Sequence, residues 1–206
     1  MTAARERTLR LFVAIELSPA WLEALAEAQA RLRSLIEGAG GPRLRYVRPE
    51  GIHLTLKFLG AVPEGRLAVV TDALASATND WAPVRLVLGR PGAFPARGSP
   101  RVLWAGVEGA SAADRERLRA LAERIEARLA AAGFPREDRF QPHLTLARVP
   151  EGAGRDQRAI VAAAVARLAA PRAAPMDVDH VSLMQSHLGP GGARYERLAA
   201  FPEAGR

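Results

Sequence analysis

A tetrapeptide that occurs twice constrains this chain more than any other feature. His53-Leu54-Thr55-Leu56 and His143-Leu144-Thr145-Leu146 are identical, and they hold two of the four histidines in 206 residues. With this composition a histidine is followed by Leu-Thr-Leu by chance on the order of once in a few thousand, so two copies are a strong signal for so short a motif. The surroundings repeat as well. Phe12 stands 41 residues before His53, and Leu103 stands 40 residues before His143. Each half reads as strand, long helix, strand with histidine, helix, strand, which makes a two-unit internal repeat. No low-complexity linker separates the halves, so the expectation is a single domain over residues 1–206, built of two lobes that each contribute one histidine motif.

Periodicity places the elements. Residues 9–17 (LRLFVAIEL) form a strand, and Ser18-Pro19 read as the N-cap and first residue of a helix that ends at Gly38. Strands follow at 44–47 and 52–59, around the turn Pro49-Glu50-Gly51. A helix runs from Pro63-Glu64 to about Asn79, then a strand over 84–88, then a Gly/Pro-rich loop from Gly89 to Pro100. The second half gives a strand at 101–108, a helix from Ala112 to Ala131 stopped by Gly133, a strand at 143–149 and a helix at 156–169. Strands near 176–185 and 194–200 close the chain, joined through His187 to Gly192. Short turns at both ends favour a largely antiparallel α+β arrangement.

On a strand, side chains alternate between faces. Leu54 and Leu56 therefore anchor one face in the core, while His53 and Thr55 share the other, about 7 Å apart. His143 and Thr145 repeat the pattern. Lobes related by a pseudo-two-fold would bring two imidazoles and two hydroxyls together around one cleft. Imidazoles with free pKa near 6.5 serve as an acid–base pair near neutrality, and hydroxyls can donate to phosphate oxygens. Two histidines with no recurring carboxylate are too few for a zinc site, so neither metal nor cofactor is expected. The chain has no cysteine, which excludes disulfides and thiolate chemistry and fits a reducing, cytoplasmic setting.

Charge is consistent with an anionic partner. The net charge is +7, and 28 of the 29 basic residues are arginine, which grips phosphate bidentately. A coding bias toward Ala and Arg explains much of that excess equally well. The N-terminus is too polar for a signal peptide, and no apolar run approaches the roughly 20 residues that span a bilayer. No heptad or exposed apolar stripe argues for self-association, so a monomer is the default.

Several further residues allow two readings each. Lys57, the single lysine, shares a face with His53 and Thr55 by strict alternation and is read as a solvated rim residue rather than a phosphate-steering one. Phe58 and Tyr46 are read as core packing, with base stacking as the alternative. His180 and His187 are read as structural or exposed. Arg97 and Arg101 flank a loop that could border the cleft. Arg115, Arg117 and Arg119 belong to a solvated helix face.

The stretches LRLFVAIEL (9–17), RYVRPEGIHLTLKFLG (45–60), PRVLWAGV (100–107), FQPHLTLARV (140–149) and VSLMQSHLGPGGARYERL (181–198) span nearly the whole chain and resemble the 2H phosphoesterase superfamily, named for two HxTx motifs. The similarity is greatest to the bacterial RNA 2′,3′-cyclic phosphodiesterases, also called 2′-5′ RNA ligases. Tyr46 stands where that family often has tryptophan. The resemblance implies a bilobal fold with outer helices and a central cleft, and hydrolysis of RNA 2′,3′-cyclic phosphate ends to 2′-phosphomonoesters. It also implies His53 as proton donor, His143 as proton acceptor, and Thr55, Thr145 and Arg148 on the phosphate. Reversible 2′-5′ joining of RNA ends, a phosphodiesterase for 2′-5′ oligonucleotides, and an RNA-binding module without turnover are the alternatives.

Overall fold

The computed structural model describes residues 7–96, 98–137, 139–189 and 192–202. Helix ends follow local chemistry. In α1 (Pro19–Glu37) the Ser18 hydroxyl accepts from the Trp21 N–H and proline takes the first position. The stripe Trp21, Leu25, Leu32 and Ile36 is buried. In α3 (Ala112–Ala131) the Ser111 hydroxyl accepts from the Asp114 N–H, and Leu118, Leu121, Ile125 and Leu129 face inward. Helices α2 (Leu67–Thr78) and α4 (Arg155–Arg167) are shorter.

The strands are β1 (Thr8–Ile15), β2 (Arg45–Tyr46), β3 (Leu54–Pro63), β4 (Val84–Phe94), β5 (Val102–Gly109), β6 (His143–Arg148), β7 (Met176–Val178), β8 (Val181–Gly189) and β9 (Gly192–Phe201). They form two sheets, in the orders β3-β1-β8-β9 and β2-β6-β5-β4-β7. Every pairing is antiparallel. The fold is α+β, as expected, with α2 and α3 packed together, α2 against β9 of the first sheet and α3 against strands of both sheets, and with α1 and α4 beside the second.

The halves of the sequence interlace. β1 and β3 come from the first half, but their sheet is completed by β8 and β9 from the second. β5 and β6 come from the second half, and their sheet takes β4 and β2 from the first. Gln29 of α1 ties this crossing down, because its buried amide donates to the carbonyls of Val47 and Leu146. One continuous apolar core results, with residues from both sheets and all four helices.

Three expectations about the strands need correction. The Gly/Pro-rich stretch after Leu88 is not a loop throughout, since β4 continues to Phe94 across an irregularity between Leu88 and Pro91. Gly92 makes this possible: a Cβ there would lie 2.3 Å from the Trp104 ring, which lies against it on β5. The run 176–185 is two strands in different sheets, divided at Asp179-His180. The last hairpin is also tighter than expected, with only Pro190 and Gly191, which lie outside the described residues, between its strands.

The repeat is in register, but not by the pairing of Phe12 with Leu103. Ala14 opposes Thr55 and Trp104 opposes Thr145, so Phe12 corresponds to Val102. Both motif strands then carry a bulge at the same place. Val13 opposes Lys57 and Leu103 opposes Ala147, leaving Leu56 and Leu146 as the extra residues. A bulge breaks the alternation of faces. Leu56 and Lys57 both turn inward, as do Leu146 and Ala147.

Lys57 is therefore not a rim residue. It is 1% exposed, and its ammonium sits 2.9 Å from the Glu126 carboxylate and 2.6 Å from the Pro135 carbonyl. Glu126 also accepts from the Glu137 N–H. This network joins β3 to α3 and to the segment that leads into His143. Removing one partner of a buried pair leaves the other charge uncompensated. Lys57→Met is expected to cost about 3 kcal/mol in chemical denaturation, and Lys57→Met/Glu126→Leu to recover part of it. A loss below about 1 kcal/mol for the single variant would show that water solvates this site in the folded protein.

Candidate active site

The two sheets present one face each to a cleft of about 570 Å³. His53, Thr55, His143, Thr145 and Arg148 all line it, so the structure brings together the five residues that the sequence singled out. His143 opens β6, whereas His53 lies one residue before β3. The bulges explain Arg148. By strict alternation Ala147 would follow His143 and Thr145 into the cleft, but the extra residue at Leu146 buries Ala147 and turns Arg148 outward. The same shift on β3 delivers Phe58, which is 61% exposed and lines the cleft, contrary to its reading as core packing. Phe58 and Arg148 thus occupy equivalent positions, one apolar and one cationic.

The histidines are held alike. His53 Nδ1 lies 3.0 Å from the Gly51 carbonyl, and His143 Nδ1 lies 2.8 Å from the Gln141 carbonyl, two residues back in each case. A carbonyl only accepts, so Nδ1 carries the proton in both rings and Nε2 is the nitrogen left for chemistry. Their surroundings differ. The His53 ring stacks on Phe12 at 4.7 Å and meets Tyr195 edge-on at 5.0 Å. His143 meets Phe94 edge-on at 4.9 Å, with Trp104 farther off at 6.3 Å. Strand exchange supplies these walls: Tyr195 reaches His53 from β9, and Phe94 reaches His143 from β4.

Burial between two aromatic rings pushes the His53 imidazole down to about 4. The Gly51 carbonyl and the nearby Glu16 carboxylate oppose that shift, and His143 adds to it. Glu16 itself accepts from the Ser182 hydroxyl at 2.6 Å and from Arg197 at 3.1 Å. Among the described residues no carboxylate lines the cleft, and its cations are Arg10 and Arg148. Such a space suits an anion. Among the described residues no three His, Asp or Glu side chains gather as a metal-binding group, and no helix is long and apolar enough to cross a membrane.

Other singled-out residues fall elsewhere. Tyr46 is half-buried under the Arg33 guanidinium, 4.5 Å from its ring centre, in a separate depression. His180 pairs with Asp179, and His187 with Glu196. Arg117 pairs with Asp114, and Arg119 with Glu116 and Glu123, on the exposed face of α3. Arg101 is exposed without lining the cleft, and Arg97 lies outside the described residues. Conversely, the cleft contains Arg10, Phe12, Phe94 and Tyr195, none of which the motifs indicated. For Arg10 and Phe12 a signal existed. They share the strand face of Ala14, which opposes Thr55, but the unbroken apolar run from Leu11 to Ile15 hides that face.

Comparison with known proteins agrees with this geometry. The family model described as the 2′-5′ RNA ligase superfamily matches residues 17–190. An RNA 2′,3′-cyclic phosphodiesterase of Archaeoglobus fulgidus is 33% identical over 94% of this chain and 99% of its own length. One from Methanothermobacter thermautotrophicus is 30% identical over 94% and 98%. The crystal structure of TT0787 of Thermus thermophilus superposes with a TM-score of 0.72 at 31% identity, covering 94% of this chain and 97% of that one. The paired HxTx strands, the interlaced sheets and these matches along most of the sequence place the chain in the 2′-5′ RNA ligase superfamily of 2H phosphoesterases.

Proposed function

We propose that this protein hydrolyses the 2′,3′-cyclic phosphate at the 3′ end of RNA to a 2′-phosphomonoester, without a metal. The observation that carries the reading is the pair of histidines, each with Nδ1 tied to a backbone carbonyl, on one cleft that holds arginine and, among the described residues, no carboxylate. The names of the two archaeal relatives support it.

In this scheme His143 Nε2 takes a proton from water as the oxygen attacks phosphorus. The bond from phosphorus to O3′ breaks, and His53 delivers the proton that O3′ needs. Thr55 and Thr145 donate to the non-bridging oxygens. Arg148 offsets the negative charge that grows in the transition state. A donor must start protonated, yet desolvation keeps free His53 neutral at pH 7. The phosphate anion itself, entering beside the ring, favours the imidazolium. Binding and protonation are therefore coupled.

The same transfers would join RNA ends if a ribose 5′-hydroxyl replaced the water. A second depression favours keeping that reading, since it opens from the cleft past Thr55, Phe58 and His143 toward α3. End-group analysis separates the two activities, as a 2′-phosphate marks hydrolysis and a 2′-5′ linkage marks joining.

An oligonucleotide ending in a 2′,3′-cyclic phosphate is expected to turn over in EDTA. His53→Ala and His143→Ala should each lower the rate about 10²- to 10⁴-fold. Full activity in either variant would refute the mechanism. The pH profile gives an independent check. With one group required protonated and one deprotonated, kcat/KM rises with pH up to the lower free-enzyme pKa, so its acid limb is expected near 4. In kcat, which reports the complex, that limb should move upward because the bound anion stabilises the imidazolium. An acid limb of kcat/KM at the ordinary histidine value of about 6.5 would contradict the burial of His53 as a functional constraint.

A further inference from the structure

Arg10 is the cleft residue that the proposed chemistry leaves unused. It lies on β1, on the face shared by Phe12 and Ala14, and lines the cleft beside Phe58 and Gly60. Its side chain is exposed, and among the described residues no carboxylate pairs with it. Exposed arginines nearby are engaged: Arg7 with Glu64, and Arg197 with Glu16.

Position along the strand gives Arg10 a meaning. Ala14 opposes Thr55, at the level of the two histidine motifs. Phe12 opposes Phe58, the exposed ring. Arg10 is the next residue on that face, roughly 13 Å along β1 from Ala14 at 3.3 Å per residue. From the motif outward the order is therefore phosphate-binding groups, aromatic surface, guanidinium. An RNA end has the same order read from its 3′ terminus: terminal phosphate, nucleoside, next phosphate. One extended nucleotide and an arginine side chain together fill the span.

The other exit is less suited to RNA. The depression toward α3 has arginines, but Glu123, Glu126 and Glu137 line it with them. Along β1 no carboxylate among the described residues lines the cleft beside the cation. We infer that Arg10 contacts the phosphodiester one nucleotide upstream of the cyclic end, and so makes this cleft selective for polynucleotide ends over cyclic mononucleotides. The inference rests on the functional reading above and deepens it.

The test compares a 2′,3′-cyclic mononucleotide with a trinucleotide that ends in a 2′,3′-cyclic phosphate. The wild-type protein is expected to prefer the trinucleotide in kcat/KM. Arg10→Ala should lower kcat/KM for the trinucleotide about tenfold, chiefly through KM, with a loss at least fivefold smaller on the mononucleotide. Arg10→Lys should recover part of the difference. A trinucleotide whose last internucleotide phosphate is an uncharged methylphosphonate should lose about the same factor with wild type, and no more with Arg10→Ala. The charge-matched variant Arg31→Ala, remote on α1, controls for net charge. Equal losses on both substrates, or additive losses for Arg10→Ala and the methylphosphonate, would overturn the inference. If wild type turns over neither substrate, the functional reading itself fails, which is a separate outcome.

Discussion

The exchange of strands between the two halves is the constraint on which the rest of this structure depends. β4 leaves the first half to pair with β5, and β8 leaves the second half to pair with β1. Without the exchange, β1 and β5 would each keep an edge of unpaired N–H and C=O groups beside the cleft. With it, neither sheet is complete in one half, and the apolar core runs through both. The crossing strands also carry side chains to the other half's motif. Tyr195 stands against His53, and Phe94 stands against His143. The two halves of the chain that assemble this cleft cannot separate without breaking central pairings within each sheet. That rigidity is what a site built on position demands.

Most elements were legible because their signals are local. Ser18-Pro19 and Ser111 open helices, and the 3.6-residue stripes of α1 and α3 face the core. The His-Thr pairs were legible because two residues apart on a strand means one face. What followed was not, because a bulge adds one residue and reverses the alternation. Lys57 and Phe58 exchanged their expected places for that reason alone. The duplication did contain a hint. The residues equivalent to Lys57 and Phe58 are Ala147 and Arg148, and a small apolar residue opposite a lysine suits a buried position better than a rim. Strand exchange was illegible in another way, since periodicity says where a strand lies and nothing about its partner. β4 beyond Leu88 was hidden by Gly89, Pro91 and Gly92, residues that ordinarily punctuate turns. Here Gly92 serves close packing against Trp104.

Burial then separates two chemically identical histidines. Both donate Nδ1–H to the carbonyl two residues back, so backbone geometry treats them alike. Aromatic packing does not. Phe12 covers one flat face of His53 and Tyr195 closes its side, and removing that ring from water disfavours its charged form. Glu16 and the Gly51 carbonyl oppose desolvation without cancelling it. His53 is thereby poised to respond to an incoming anion, since the free energy withheld by burial returns when a negative charge arrives beside the ring.

A cyclic phosphate has an attacking side and a leaving side, so a site for it cannot remain symmetric. Groups needed on both sides, an imidazole and a hydroxyl, are the ones that the two tetrapeptides keep identical. Groups needed on one side stand at positions where the halves differ. Phe58 faces Arg148 at equivalent places after the bulges, and Phe12 corresponds to Val102. Phe12 and Phe58 lie with His53, and Arg148 lies on the strand of His143. In the proposed reaction this puts apolar surface beside the departing O3′ and the ribose and base that carry it, and the Arg148 charge nearer the attacking oxygen. In that scheme the nucleoside points toward β1 and Arg10. The repeat supplies the chemistry, and the departures from the repeat supply its direction.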